Sequence, residues 1–143
     1  SDGAAALVIC SQKYADKKNL KTKAKIKGYT GHAHEPGWFT TAPIPAAKKL
    51  LELINWSIEE VDLWEVNEAF AVVPMAFMRE LKISREKINV NGGACSLGHP
   101  IGASGARILV SLINALKQRE LKKGVAAICI GGGEALAIAI EVD

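Results

Sequence analysis

This chain of 143 residues has three cysteines, few aromatic residues and no long uninterrupted apolar run, and each shortage excludes something. Cys10, Cys95 and Cys129 are odd in number and far apart. They form no C-x-x-C pair and no His/Cys cluster, so neither a disulfide framework nor a metal site is indicated. Free thiols in a reducing compartment fit best. The most apolar window, Gly124–Ile140, is broken by three glycines and Glu134, which excludes a membrane-spanning helix. Ser1–Cys10 has Asp2 where a signal peptide needs a basic region. The chain opens without Met on an apolar run, Ala4–Cys10, as expected of a piece of something longer whose targeting signal would lie upstream. Two phosphate cradles are missing as well. The glycine-rich stretch Asn89–Arg107 has neither the Lys and Ser/Thr of a P-loop nor G-x-G-x-x-G.

What is present is an apolar fraction of 49%, dominated by Ala, Ile, Leu and Val, which points to one packed α/β domain. The net charge of +3 is modest. Lys21, Lys23, Lys25 and Lys27 alternate with Thr22, Ala24, Ile26 and Gly28, a period that puts the four lysines on one face of a strand. Such a face is either a phosphate-binding strip or an edge strand guarded by lysine against pairing with other chains. The second reading is preferred, because no arginine or aromatic is interleaved as nucleic-acid surfaces require. Nucleic acid and membrane are therefore not expected as partners.

Along the chain, Ala4–Cys10 reads as a buried strand, Ser11–Lys18 as a short polar helix and Lys23–Tyr29 as the lysine-faced strand. His32–Thr41 has no periodicity and reads as a loop, with His32 and His34 as surface residues. Ala47, Leu50, Leu51 and Ile54 follow the i, i+3, i+4, i+7 spacing of an amphipathic helix over Ile44–Asn55. Ser57 and Glu60 have capping-box spacing. Val61–Val66 is a strand. Asn67-Glu68 then opens a helix, Ala69–Leu81, with Phe70, Val73, Phe77 and Leu81 on its inner face and a kink or freed carbonyl expected at Pro74. Ile88–Val90 is a strand into the glycine loop, and a helix follows over about Gly102–Arg119. Val125–Ile130 and Leu136–Ile140 are two buried strands joined by Gly131-Gly132-Gly133 as a hairpin. The sum is an α/β layered fold with a mixed sheet covered by helices.

Three places carry chemistry: Asn67–Phe70, Gly98-His99-Pro100 and Cys129–Gly133, each at a strand's carboxyl end or a helix start. In open α/β sheets such ends converge on one crevice. Glycines around His99 and the proline after it predict a loop of fixed shape at a helix mouth, where the positive end of the helix favours a neutral imidazole. The alternative is a glycine-rich connection with a structural histidine. For Cys129 the alternative is a small buried hydrophobe on a strand, and Asn67 could also cap the helix before Ala69.

The motifs WEVNEAFA (Trp64–Ala71), NVNGGACSLGHPIGASGARI (Asn89–Ile108) and CIGGG (Cys129–Gly133), in this order and spacing, resemble the C-terminal half of thiolases, the acetyl-CoA acetyltransferases and 3-ketoacyl-CoA thiolases. The resemblance runs from Ser1 to Val142. It implies one half of a thiolase-like layered fold, and these roles: His99 activates a nucleophilic cysteine and donates to the thioester oxygen. Asn67 holds a water completing that oxyanion site. Cys129 is the acid/base at the α-carbon, and the Gly131 N–H serves a second oxyanion hole. Ala69 and Phe70 line the pantetheine tunnel. It further implies reversible Claisen condensation and thiolysis of acyl-CoA and 3-oxoacyl-CoA, with coenzyme A thioesters as substrates and no separate cofactor. A place in fatty acid metabolism, a homo-oligomer, and a cytoplasmic location, or an organellar one in a eukaryote, follow from the same likeness. The acyl-accepting cysteine and the loop region holding most of coenzyme A belong to an N-terminal half, so this chain alone is expected to fold, to self-associate and to lack turnover. Two other classes compete. A non-catalytic acyl-CoA-binding or scaffold member would not need His99, Asn67 and Cys129 together, and a ketoacyl synthase would carry histidine at Cys129. Glu134 and Ala135 depart from the Met or Gln then Gly that many thiolases carry, and Glu134 is expected to face away from Cys129. Cys95 reads as filler.

Overall fold

A computed structural model describes residues 1–143. Four strands form one mixed sheet in the order β1 (Lys25–Ala33), β4 (Glu134–Glu141), β3 (Lys123–Ile130), β2 (Leu63–Val66). β2 and β3 run parallel, whereas β3–β4 and β4–β1 are antiparallel. Strand alternation divides the core into two layers. Trp64, Val66, Val125, Ala127, Cys129, Ala135, Ala137 and Ala139 face helices α2 (Pro43–Ile54) and α3 (Val72–Leu81). Leu63, Ala126 and Ile140 face the opposite way, against Ile108, Leu112, Ala115 and Leu116 of helix α5 (Ser104–Gln118). Small side chains on β3 and β4 let the helices sit close. Trp64 and Phe77 fill the space beneath α3 with an edge-to-face contact at 5.4 Å.

Most expected elements are present. Helix α1 (Gln12–Lys17) starts where Ser11 Oγ accepts the Tyr14 N–H, and α2 ends where Asn55 turns left-handed. Ser57 and Glu60 exchange the reciprocal capping-box bonds, but around a turn rather than a helix. The four lysines are exposed, and β1 is an edge strand on which Lys27 pairs with Glu141 and Lys25 with Asp143. That agrees with the guarded-edge reading, although the strand starts only at Lys25 and a bulge between Ile26 and Gly28 breaks the strict alternation.

Several expectations are corrected. Ala4–Cys10 is not a buried strand: it has no regular structure, Val8 and Ile9 are exposed, Cys10 is exposed, and no residue from 1 to 10 makes a backbone hydrogen bond. A strand needs a ladder, and no strand of this sheet pairs with the segment. His32–Thr41 is not all loop, since β1 runs to Ala33 and a 3-10 turn spans Pro36–Thr41. Helix α3 begins at Val72 rather than Ala69, so Phe70 is exposed rather than on an inner face. The later start also removes the expected kink. Pro74 sits in the first turn, where its missing N–H is not needed, and the Phe70 carbonyl accepts the Val73 N–H at 3.0 Å. Ile88–Val90 makes isolated bridges only. β4 alternates instead of being wholly buried, and Leu136 is exposed.

The uncovered amino-terminal segment yields a direct test. Amides of Ala4–Cys10 are expected to exchange with solvent at nearly the rate of an unstructured peptide, while Ala126 and Ala139 in the sheet are protected. Protection of residues 4–10 comparable to the sheet would contradict the observed placement.

Candidate active site at the carboxyl end of the parallel strands

The site begins where β2 ends. Val66 is the last ladder residue, and the Asn67 N–H still donates to the Ala127 carbonyl at 2.9 Å, which ties the Asn67 backbone to β3. Strand alternation turns the Asn67 side chain toward α5, where it is buried. There its Nδ2–H donates to His99 Nε2 at 3.3 Å. Two of the residues expected to act together therefore meet.

His99 does not stand immediately at a helix mouth. Pro100 opens a turn whose carbonyl accepts the Ala103 and Ser104 N–H groups, and α5 starts only at Ser104. His99 is instead fixed by side chains. Its Nδ1 lies 2.6 Å from Ser104 Oγ, and that hydroxyl donates to the Pro100 carbonyl at 3.1 Å. Because the Ser104 hydrogen is committed to the carbonyl, Nδ1 carries the ring hydrogen and Nε2 presents its lone pair to Asn67.

The loop carrying His99 is held to the end of β2 by Glu68. One carboxylate oxygen accepts from Asn89 Nδ2 at 2.8 Å and the other from the Cys95 N–H at 2.9 Å. The carboxylate packs so closely on Gly93, just before the short helix α4 (Ala94–Leu97), that any side chain there would collide with it. Asn89, buried and left-handed at φ 45°, also pairs with both backbone groups of Val66. Cys95 is exposed, and burial around the thiol together with Glu68 pushes its pKa up, which argues against a nucleophilic role.

Cys129 lies one strand over, near the end of β3, and its side chain belongs to the layer facing α2 and α3. No hydrogen bond joins it to Asn67 or His99. Burial pushes its thiol pKa up, with a backbone hydrogen bond pulling the other way. Desolvation outweighs that bond. Glu134 pairs with Ile130, on the opposite side of the sheet from the Cys129–Ala135 pair, so it does face away. The Gly131 N–H makes no backbone hydrogen bond, and its surroundings are open. Gly133, at φ 94°, closes the turn against the His34 carbonyl, where a side chain could not fit. Ala69 is partly buried against the core, and exposed Phe70 contacts Phe39 edge to face at 6.4 Å.

Four residues carry this geometry although the sequence assigns them no role at the site: Glu68, Asn89, Ser104 and Arg107. The available signal was weak. Ser104 and Arg107 stand three apart at a helix start, and Asn89 interrupts an apolar triplet. Beneath them lies Glu65, 2% exposed. Burial pushes its carboxyl up to about 7, with the Arg107 charge opposing the rise and Glu68 adding to it.

A mixed α/β layered domain with an amide–imidazole pair at the carboxyl end of parallel strands defines a class of proton-transfer site, and the comparisons specify the family. The family described as "Thiolase, C-terminal domain" matches residues 20–142. Across 142 residues the chain is 52% identical to "Acetyl-CoA acetyltransferase 2" of Arabidopsis thaliana, covering 99% of this chain and 35% of that protein. It is 45% identical to "Acetyl-CoA acetyltransferase, cytosolic" of Mus musculus over 99% of this chain and 36% of that one. Crystal structures of the Bacillus anthracis acetyl-CoA acetyltransferase (48% identity) and the human mitochondrial 3-ketoacyl-CoA thiolase (40%) each superpose with a TM-score of 0.90, over 93% of this chain and 34% of theirs. The chain belongs to the thiolase family, whose C-terminal domain it carries. It spans 35% of the length of the Arabidopsis relative. No helix is long and apolar enough to cross a membrane.

Glu65 generates a pH prediction. A carboxyl holding its proton more tightly folded than unfolded makes the folded state lose stability as pH rises from its ordinary value through about 7. Glu65→Gln removes that penalty. At ~1.4 kcal/mol per pH unit, its advantage over the wild type should grow by up to ~3 kcal/mol between about pH 5 and about pH 8. Parallel unfolding profiles for the two proteins across this range would show that Glu65 titrates as an ordinary carboxylate.

Proposed function

We propose that this chain is the C-terminal catalytic part of an acetyl-CoA C-acyltransferase that condenses acyl-CoA units to 3-oxoacyl-CoA and cleaves the product with coenzyme A. The single observation that carries the reading is the contact between buried Asn67 and half-buried His99 at the end of β2, in which the Asn67 amide donates to Nε2. The proposed steps follow from that arrangement. In thiolysis, Nε2 takes the proton of a cysteine thiol supplied by an N-terminal half. The thiolate attacks the 3-oxo carbon, and the imidazolium then donates to the developing oxyanion. Cleavage of the bond between the α- and 3-oxo carbons leaves an enolate, which the Cys129 thiol protonates. Coenzyme A finally accepts the acyl group from the enzyme. In condensation the Cys129 thiolate removes the α-proton, and the carbanion attacks the acyl-enzyme carbonyl.

Each role draws on something at the site. A thiol whose pKa is pushed up by burial keeps its proton, as an acid toward an enolate requires. The uncommitted Gly131 N–H is a donor available to the enolate oxygen. Ala69 and Phe70, beside Asn67, would line the pantetheine passage. A relative from Ascaris suum, 47% identical, was solved in complex with coenzyme A, which supports coenzyme A thioesters as the substrates. The N-terminal half, the homo-oligomer, fatty acid metabolism and the cytoplasmic location belong to this same proposal. The cytosolic mouse relative supports the last of these.

Joining this chain to the remaining N-terminal part of the Arabidopsis relative is the test. The chimera should cleave acetoacetyl-CoA with coenzyme A, the isolated chain should not, and His99→Ala in the chimera should lower turnover about a hundredfold or more. Near-normal turnover of the His99→Ala chimera would refute the role. Cys129→Ser separates the half-reactions: mass spectrometry should still detect the acyl-enzyme while condensation fails. An absence of acyl-enzyme in that variant would mean that Cys129 acts in the first step instead.

A further inference from the structure

A half-buried arginine reaches the Asn67–His99 pair. Arg107 and Ser104 stand three residues apart on α5, so both project from the same side of the helix toward the end of β2. Ser104 holds one nitrogen of the His99 ring, as described above. Arg107 Nη2 donates to Asn67 Oδ1 at 3.4 Å. Its Nε and Nη1 are buried with no hydrogen-bond partner in the protein, as is Glu65 Oε1. A guanidinium buried this incompletely paired is costly, and apolar packing would serve stability better.

The geometry points to Arg107 as a positioning residue: its Nη2–H locks the Asn67 amide, and the amide holds His99 with the ring hydrogen on Nδ1 and the lone pair on Nε2. The Asn67 backbone is already tied to Ala127, so the freedom left to its buried side chain is the rotation that exchanges Oδ1 and Nδ2. Arg107 forbids that exchange. A guanidinium has donors and no acceptor, so a flipped amide would set its NH2 against another donor. The flipped Oδ1 would also demand a hydrogen on Nε2. Nδ1 would then carry a lone pair facing Ser104 Oγ, and the serine would have to abandon the Pro100 carbonyl to satisfy it. Three hydrogen bonds thus change together or not at all, and Arg107 decides which set forms. The buried Glu65 carboxyl supplies a nearby opposite charge when it is ionised.

The catalytic consequence rests on the acyl-transfer reading: a ring with Nε2 unprotonated can accept a thiol proton, and the other tautomer cannot. The orientation itself does not depend on that reading, so it is tested without turnover. Long-range proton–nitrogen NMR of the 15N-labelled 143-residue chain, at a pH where the ring is neutral, distinguishes the two imidazole tautomers. The wild type should show the Nδ1–H form alone. Arg107→Met should show both forms in comparable amounts, and Arg107→Lys, which restores one donor, should return to the wild-type form. Arg119→Met, on the exposed end of the same helix, should leave the tautomer unchanged. If Arg107→Met does not fold, Arg107→Gln replaces it, since it keeps a polar group but is too short to reach the amide. An Nε2–H tautomer in the wild type would overturn the proposal. So would a wild-type tautomer in whichever of the Met and Gln variants folds. Either result would leave the acyl-transfer assay of the chimera to be judged separately.

Discussion

The site depends on how the carboxyl end of β2 is finished. β2 pairs with β3 on one side, and on the other side no full strand accompanies it. The side chain of Asn89 replaces the missing ladder: Oδ1 accepts the Val66 N–H at 2.8 Å and Nδ2 donates to the Val66 carbonyl at 2.9 Å. A buried backbone left without partners would cost more than the interaction gains, so the strand end is defined only while this amide is present. The same Nδ2 reaches Glu68, and Glu68 holds the Cys95 N–H. One side chain therefore joins the strand end, the residue after Asn67 and the loop that leads to His99. Asn89 adopts a left-handed backbone to do this, a conformation asparagine tolerates better than most residues.

Charge is buried beside this junction in a way that a purely structural core would avoid. Glu65 and Arg107 lie on the side of the sheet facing α5, where the apolar cluster is smaller and neither is fully hydrogen-bonded. Directly across the strand, Trp64 and Val66 pack in the apolar layer under α2 and α3. β2 thus separates a dry face that supplies stability from a polar face that orients a histidine. Cys129 sits on the dry side, which is why its thiol pKa rises rather than falls.

Much of this was legible in the residues. The apolar spacing of Ala47, Leu50 and Leu51 placed α2, the triple glycine placed the β3–β4 turn, and the lysine-rich stretch marked a solvated edge, although only Lys25 and Lys27 of the four lie in β1. These are local signals, because the period of a helix or strand is written in neighbouring positions. His99 and Asn67 were identifiable from the glycine-rich loop and the motif around Asn67, and they do meet. The failures share a cause. Ala4–Cys10 reads as a strand because its side chains are small and apolar, yet pairing depends on an edge elsewhere in the fold. Phe70 reads as part of a helix that in fact begins only at Val72, and the turn through Phe70 and Ala71 displaces it outward.

The sequence by itself determined the helical and strand periods, the single α/β layer arrangement and the family, since each is encoded in runs or motifs that need no distant partner. Only the tertiary structure decided which nitrogen of His99 carries the hydrogen. That choice depends on Ser104, Asn67 and Arg107 converging from two elements separated by more than thirty residues of chain. It also decided that Glu65 is a carboxyl pushed up to about 7 and not a solvated strand residue. Burial and nearby charge act through space. They cannot be read from neighbours along the chain, because the groups that set them are brought close only when the sheet and α5 pack together.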